Sequence, residues 1–455
     1  MFIGREQETE RFKNAIQKVN SATLLYGKRR VGKTTLIKHV LSQQDTPFVY
    51  YECLKSSMQD NIDGLTQELQ RSGLLPAAPQ FARFQDLFAF LNALSHPVVV
   101  VIDEYPYLKA MTPAETVDST FQSVIDNRLR NVHLVLAGSH IGVMKEMLEE
   151  NNALYGRFET VICLRELSYL VSSEFYPELK PYDRIGFYSV FGGSPFVLRQ
   201  LDPGESLKVN IIRTVLSEHH PIHLYASNIL LSDYSNSMNA ERIFAVLGNG
   251  RKRYTEIEAK LNANKTGNLS KQLKQLVSLE IVRRNAPINK PHDKKKVGFE
   301  INDNLMRFYF TYVYRNRSAL LILGPEEFYN QYIAPTIGGF IAHRFEEICR
   351  DYFSIMAKLG RLKGIHNIGS YYYDDPAKKT KGEFDVALDY GDHYAIYEAK
   401  YYSVPLTLDE IHHELGQIRA IRELTVTEIG FIAASGFAAQ EAGYMYLTAD
   451  DLYRI

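Results

Sequence analysis

GKRRVGKT, residues 27–34, decides how the first third of this 455-residue chain is read. The octet has glycine at 27 and 32, lysine at 33 and a hydroxyl residue at 34. A short apolar run, Thr23 to Tyr26, precedes it, and a sequence with amphipathic helical spacing starts at Lys33. A strand, a glycine loop and a helix in that order make a cradle for phosphate. Glycine lets backbone N–H groups wrap the anion, and the helix turns its positive end toward the same place. Gly27, Lys28, Arg29, Arg30, Val31, Gly32, Lys33, Thr34 and Thr35 are then the nucleotide contacts expected. Lys33 would reach the β- and γ-phosphates, and the Thr34 hydroxyl would ligate Mg²⁺. The expectation is a P-loop NTPase parallel sheet that takes ATP and Mg²⁺.

Such a fold needs a second strand that ends in an acid, and PVVVVIDE at 97–104 supplies it. A run apolar on both faces suits a central parallel strand. Asp103 would hold Mg²⁺ through water, and Glu104 would polarise the attacking water. A third apolar run, HLVLAGS at 133–139, ends in Ser139. That serine reads either as a polar sensor beside the phosphates or as the cap of the next helix. Arg157, in LYGR, reads either as a γ-phosphate contact, within the chain or from a neighbouring subunit of a homo-oligomer, or as a surface cation. GGSP at 192–195 reads as a helix break.

With FIGRE at 2–6 added, these motifs in this order resemble the prokaryotic archaeal-type ATPases, near the STAND and origin-recognition branches of AAA+. The resemblance spans about residues 1–230. It implies that Ile3, Gly4 and Arg5 lie near the base or ribose, and that a helical lid follows the core.

The middle of the chain changes character. Net charge is −1 overall, yet residues 251–300 hold thirteen Lys or Arg against five acids, an excess of eight. Local charge decides what a surface attracts. Apolar spacing predicts helices over 240–247, 254–261 and 266–279, then a basic loop and a returning strand at 297–301. That is the pattern of a winged helix-turn-helix. Ser270, Lys271, Lys274 and Gln275 would lie on the exposed face of its third helix, and Lys294, Lys295 and Lys296 on its loop. Such modules bind nucleic acid through backbone contacts or serve as protein contacts. The charge excess favours nucleic acid, DNA over RNA. The aromatic stretch 303–313 reads as packing between domains.

In the last third, a helix over 337–352 carries Glu346. GEFDVAL at 382–388 and HYAIYEAK at 393–400 then read as a hairpin. Glu398 and Lys400 are two apart and share a face, and Asp385 can approach them from the facing strand. This grouping permits metal-assisted phosphodiester hydrolysis. Glu346, Asp385 and Glu398 would bind Mg²⁺ or Mn²⁺, and Lys400 would orient the attacking water, with Gln417 on the next helix near the lysine or a backbone phosphate. The pattern resembles the PD-(D/E)XK nucleases, with Phe384 standing where their motif has proline. An ATPase followed by such a domain resembles a prokaryotic family whose last domain was long of unknown function.

The expected architecture is therefore α/β multidomain: P-loop ATPase core 1–165, helical lid 166–232, winged helix-turn-helix 233–315 and restriction-endonuclease-like α/β domain 316–455. Hydrophobic content of 45% and charged content of 23% fit globular domains with real cores. The longest apolar run, 98–102, falls far short of the ~20 residues of a membrane span, and the N-terminus has no apolar signal region. Cys53, Cys163 and Cys349 match no zinc or redox spacing and read as reduced thiols in a cytoplasmic protein. Two functions fit: an ATP-controlled, metal-dependent nuclease acting on DNA, or a STAND-like switch whose last domain binds without cutting.

Overall fold

The structure, a computed structural model, describes residues 2–75, 79–233, 240–262, 268–375, 380–421 and 424–455. Thr266, the expected start of the third middle helix, lies outside the described residues. The chain divides into two compact units: Met1–Leu167 with Ser194–Phe196, and Ser168–Gly193 with Val197–Ile455.

In the first unit, β1 (Ser21–Tyr26), β2 (Phe48–Glu52), β3 (Val98–Asp103), β4 (Val132–Gly138) and β5 (Thr160–Cys163) form one parallel sheet in the order β2-β3-β4-β1-β5. Every residue of β1, β3 and β4 is buried, as central parallel strands covered on both faces require. The helices Glu6–Ile16 and Lys33–Leu41 cover one face, setting Phe12, Ile16, Leu36, Ile37 and Val40 against Leu25, Val99, Val101 and Val135. Because β1 is neighbour to β4, and β4 to β3, the loop after β1, the acids ending β3 and the serine after β4 collect at one edge. Open α/β sheets bind ligands at such carboxyl ends.

Among the described residues, the second unit holds two sheets. The smaller comprises β6 (Lys252–Arg253), β7 (Val282–Asn285) and β8 (Gly298–Ile301) in the order β6-β8-β7. It accompanies helices Ala240–Leu247, Tyr254–Leu261 and Asn268–Ser278. Two residues of β6 give no alternation to read, so the sequence did not announce that strand. The helix Asn304–Phe308 runs on as a π-helical turn through Tyr309–Val313, with Phe308, Tyr309, Phe310 and Val313 buried.

The larger sheet comprises β9 (Asn367–Asp375), β10 (Thr380–Asp389), β11 (Tyr394–Lys400), β12 (Val426–Ala433) and β13 (Met445–Thr448) in the order β13-β12-β11-β10-β9. It is mixed: β9, β10 and β11 pair antiparallel, whereas β11, β12 and β13 pair parallel. The helix Ile337–Lys358, six residues longer than its sequence suggests, packs Phe345, Ile348 and Phe353 onto Val386, Leu388 and Tyr397. Across the sheet, Ile418 of helix Leu408–Arg419 packs with Phe384, Ala387 and Ile396. The β9–β10 register slips between Phe384 and Ala387, a bulge of the kind that re-aims side chains. The loop after β7 is laid along the free edge of β9. Ile288 N–H donates to Ser370 O at 2.8 Å, and the Asn289 amide pairs with both backbone groups of Tyr372 at 2.8 and 3.1 Å. That contact covers an otherwise open sheet edge. Among the described residues, no helix is long and apolar enough to cross a membrane.

Candidate functional site

The glycine loop after β1 is shaped by two close approaches. A Cβ on Gly27 would stand 2.1 Å from the Leu164 carbonyl oxygen, and Gly32 has φ 101°, so both positions demand glycine. Lys33 is buried, and its Nζ donates to Gly27 O and Lys28 O at 3.0 Å each, holding the ammonium inside the loop. The Thr34 hydroxyl donates to Asp103 Oδ2 at 2.9 Å, so hydroxyl and carboxylate converge where a cation bridging to phosphate would be held. These residues fit Mg²⁺–ATP. Tyr50 donates to the same Oδ2 at 2.6 Å. Its place one strand away, on β2, left no mark in the motif.

Glu104 adopts a left-handed backbone, φ 50°, a conformation costly for a residue with a Cβ. That twist takes its side chain to Ser139, whose N–H and Oγ donate to Glu104 Oε2 at 3.2 and 2.8 Å. Of the two sequence readings of Ser139, this contact supports a polar partner of the acid; its side chain orients the group expected to act on water. Val31 is buried in the core below the loop. Arg29 donates to the Tyr107 hydroxyl at 3.0 Å, Arg30 lies over the Phe196 ring at 3.9 Å, and Lys28 pairs with Glu166 at 3.7 Å. Thr35 is exposed and Ile3 half-buried. The Arg5 guanidinium donates to Val31 O at 3.2 Å and Arg165 O at 2.5 Å, so it clamps the loop from below. Arg157 makes a two-pronged pair with Asp126, both bonds 2.9 Å.

The second grouping forms where β10 and β11 part. Their pairing runs from Asp389–Tyr394 to Val386–Tyr397; beyond it, Ala399 N–H donates to Asp385 Oδ2 at 3.0 Å. The side chain thus enters the opening between the strands beside buried Glu398. Burial and, next, the Glu346 carboxylate push Asp385 up to about 6. Burial and Asp385 likewise raise Glu398 well above the ordinary carboxylate range. Two buried acids that resist ionising together are what a divalent cation would relieve, but the ligand oxygens of Asp385, Glu398 and Glu346 do not all come within 4.8 Å of one another. Lys400 Nζ lies 3.5 Å from Glu398 Oε2 and 2.9 Å from Glu414 Oε1. Burial opposes its charge, but Glu398, Glu414 and Asp385 together hold it protonated.

Glu414, not Gln417, is therefore the helix residue at the lysine. Gln417, three residues on, accepts from Tyr373 at 2.7 Å and meets His413 at 2.9 Å. Residues three apart share a helix face, and that spacing was the signal for Glu414. Arg350, which donates to Asp385 O at 2.6 Å, likewise sits one turn after Glu346.

Among the described residues, Glu300, His343 and Glu347 are the group with ligand atoms within 4.8 Å of one another. Arg283, Arg307 and Arg344 already pair with those two carboxylates. Three guanidiniums against two acids leave no excess negative charge for a cation. On the basic module, Lys271, Lys274 and Gln275 are exposed as expected, whereas Ser270 is half-buried; Lys294 and Lys295 are exposed and Lys296 half-buried.

A family of ATPase domains predominantly from Archaea matches residues 2–201. A family of archaeal and bacterial proteins of unknown function matches residues 309–412. An uncharacterized protein of Methanocaldococcus jannaschii is 27% identical over 373 residues, 80% of this chain and 79% of that protein. The Walker-type ATPase of Pyrococcus abyssi superposes with a TM-score of 0.52 at 17% identity, over 68% of this chain and 96% of that one. That likeness concerns the fold. With the phosphate loop, the acid-ended β3 and the matched ATPase family together, residues 2–201 form a P-loop ATPase domain.

Proposed function

We propose that ATP binding and hydrolysis in the first unit control metal-dependent phosphodiester cleavage of DNA by the second. The observation that carries this reading is the meeting of Asp385, Glu398 and Lys400 at the parting of β10 and β11, with Glu346 acting on Asp385 from the helix behind. The sequence of helix acid, strand Asp and strand E-x-K supports a restriction-endonuclease-like domain, and the three helices with the β6-β8-β7 sheet support a winged helix-turn-helix. A bound divalent ion would neutralise charge developing on the phosphate. Asp385 and Glu398 would hold it. Lys400 would orient water and donate to the phosphate oxygens, with Glu414 fixing its ammonium. In the first unit, Thr34 and Asp103 would hold Mg²⁺, Lys33 would meet the β- and γ-phosphates, and Glu104, oriented by Ser139, would align the attacking water.

One observation favours a second reading. Lys400 lies closer to Glu414 than to Glu398, which would suit a structural ion pair in a STAND-like switch that binds without cutting. Incubating the intact protein with ATP, Mg²⁺ or Mn²⁺, and duplex or single-stranded DNA separates the two. Nicking that disappears in Lys400→Ala while ATP hydrolysis persists supports cleavage. No cutting of any substrate with either ion assigns the protein to the switch.

A further inference from the structure

Between the smaller sheet and the β9–β10 edge lies a cleft of about 410 Å³. Arg251, Arg253, Lys295 and Lys296 line one side; Tyr372, Lys381 and Glu383 line the other. With Glu256 included, five cations face two acids among the described residues. Both acids are matched within the cleft: Arg251 pairs with Glu383 at 3.0 Å, and Arg253 with Glu256 at 3.2 Å. Three lysines remain in excess. Lys296 is held with its Nζ 3.6 Å from the centroid of the Tyr372 ring. Lys295 and Lys381 are exposed, and among the described residues their ammonium groups make no ion pair.

The walls do not drift independently. The bonds from Ile288 and Asn289 to the β9 backbone, and the Arg251–Glu383 pair, fix the basic module against the sheet. Ser370 also donates to Glu383. Tied walls set the separation between cations on the two sides of an open groove, so part of the ordering cost of an anion site is met in folding. Glu383 stands two residues before Asp385 on β10, a chain step of about 6.7 Å. The groove therefore opens one short strand step from the acids.

We propose that this cleft binds the phosphodiester backbone of a nucleic-acid strand and leads it along β10 to Asp385 and Glu398. The inference rests on the reading of the second unit as acting on nucleic acid. It moves the main contact from the exposed face of helix Asn268–Ser278 to a groove shared by the loop after β7 and β10. The ligand class is a polyanionic strand with repeated phosphates, because the unmatched cations are lysines spread over both sides of an open groove, point charges that suit phosphate oxygens.

Binding of a fluorescent DNA oligonucleotide, single-stranded and duplex, and of its RNA counterpart to the full chain in EDTA tests this without interference from cutting. Lys295→Gln with Lys381→Gln should weaken binding roughly ten-fold at low salt and lower the slope of log affinity against log salt by about 1.5. Glu383→Gln, which removes an acid from the cleft, should tighten binding several-fold, a gain that misfolding cannot produce. The proposal is overturned if both variants bind like the parent chain, if loss is confined to Lys271→Gln with Lys274→Gln, or if no oligonucleotide binds. Failure of cleavage is read separately: binding that obeys these variants without any nicking keeps the cleft and retires only the nuclease.

Discussion

Ala399 N–H donates to Asp385 Oδ2 at 3.0 Å, a backbone-to-side-chain bond at the point where β10 and β11 stop exchanging ladder bonds. The parting of the strands makes room for a carboxylate between them, and the bond fixes which way it points. Glu398 then lies beside it on the facing strand, buried; burial and the Asp385 carboxylate raise its affinity for protons, while burial and Glu346 raise that of Asp385. A site of this kind is unstable as two bare charges and is stabilised by a cation or by protons.

Asp385→Asn and Glu398→Gln should therefore each abolish Mn²⁺ binding by the second unit, followed calorimetrically in a Lys33→Ala background that silences the ATP site. Lys400→Ala should keep that binding, while phosphodiester cleavage falls by about 10²–10⁴-fold, the usual worth of a group that handles a proton or water. Unchanged Mn²⁺ binding in both acid variants would remove the metal from the account.

Glu104 and Ser139 make a second testable pair. Glu104→Gln should leave ATP binding intact and slow hydrolysis by about 10²–10⁴-fold. Ser139→Ala removes the 2.8 Å bond to Oε2 but keeps the backbone donor. Its effect should be smaller, a fall in kcat with KM for ATP little changed. A raised KM with kcat preserved would instead make Ser139 a contact to the nucleotide.

Gly27 and Gly416 should respond in opposite directions to alanine. At Gly27 the added Cβ meets the Leu164 carbonyl oxygen at 2.1 Å, and backbone cannot swing aside. Destabilisation of about 1–3 kcal/mol is expected from overpacking, with loss of ATP binding. At Gly416, inside helix Leu408–Arg419, nothing lies within 4 Å. Alanine there should stabilise by up to about 1 kcal/mol. Thermal unfolding of the two variants measures both; a Gly27→Ala protein that melts and binds ATP like the parent would contradict the packing described for the loop.

The first unit was legible because its chemistry is local. GKRRVGKT and VVVVIDE put the ligand groups next to the strands that carry them, so spacing along the chain stands in for position in space. Asp385, Glu398 and Lys400 were legible for the same reason, lying on one hairpin. Tyr50 reaches Asp103 through strand order, over a separation that no period encodes, whereas Glu414 reaches Lys400 from the same face of its helix as Gln417, three residues on. The Asp126 partner of Arg157, 31 residues away, is likewise out of reach of any local pattern. Charge counting failed more subtly. Glu300, one of five acids in the basic segment, is buried at 1% exposure against Arg283 and Arg307, so neither all the cations nor all the acids of that stretch face solvent.

That buried network yields a prediction about acid stability. Glu300 Oε1 lies 2.8 Å from Arg283, and Oε2 lies 2.8 Å from Arg307 and 3.4 Å from His343; Glu347 pairs with Arg283 and Arg344. Burial works to raise the Glu300 pKa, but Arg307, His343, Arg283 and Arg344 outweigh it and hold the carboxyl well below its usual range. A carboxyl depressed in the folded state contributes stability above its unfolded pKa, near 4.3, and that contribution is lost as pH falls below this value. His343 acts in the opposite sense. Its pKa is raised by bonds to Glu300 and Glu346, so its contribution is present below about 6.5 and fades as pH rises through its folded value. Urea unfolding of the second unit should therefore show stability falling steeply below pH ~4.3. Glu300→Gln should lower stability at pH 7 by about 3–5 kcal/mol, because it leaves buried guanidiniums uncompensated, and should flatten the acid limb. A variant as stable as the parent at pH 7, with the same acid limb, would mean that Glu347 alone balances the three arginines.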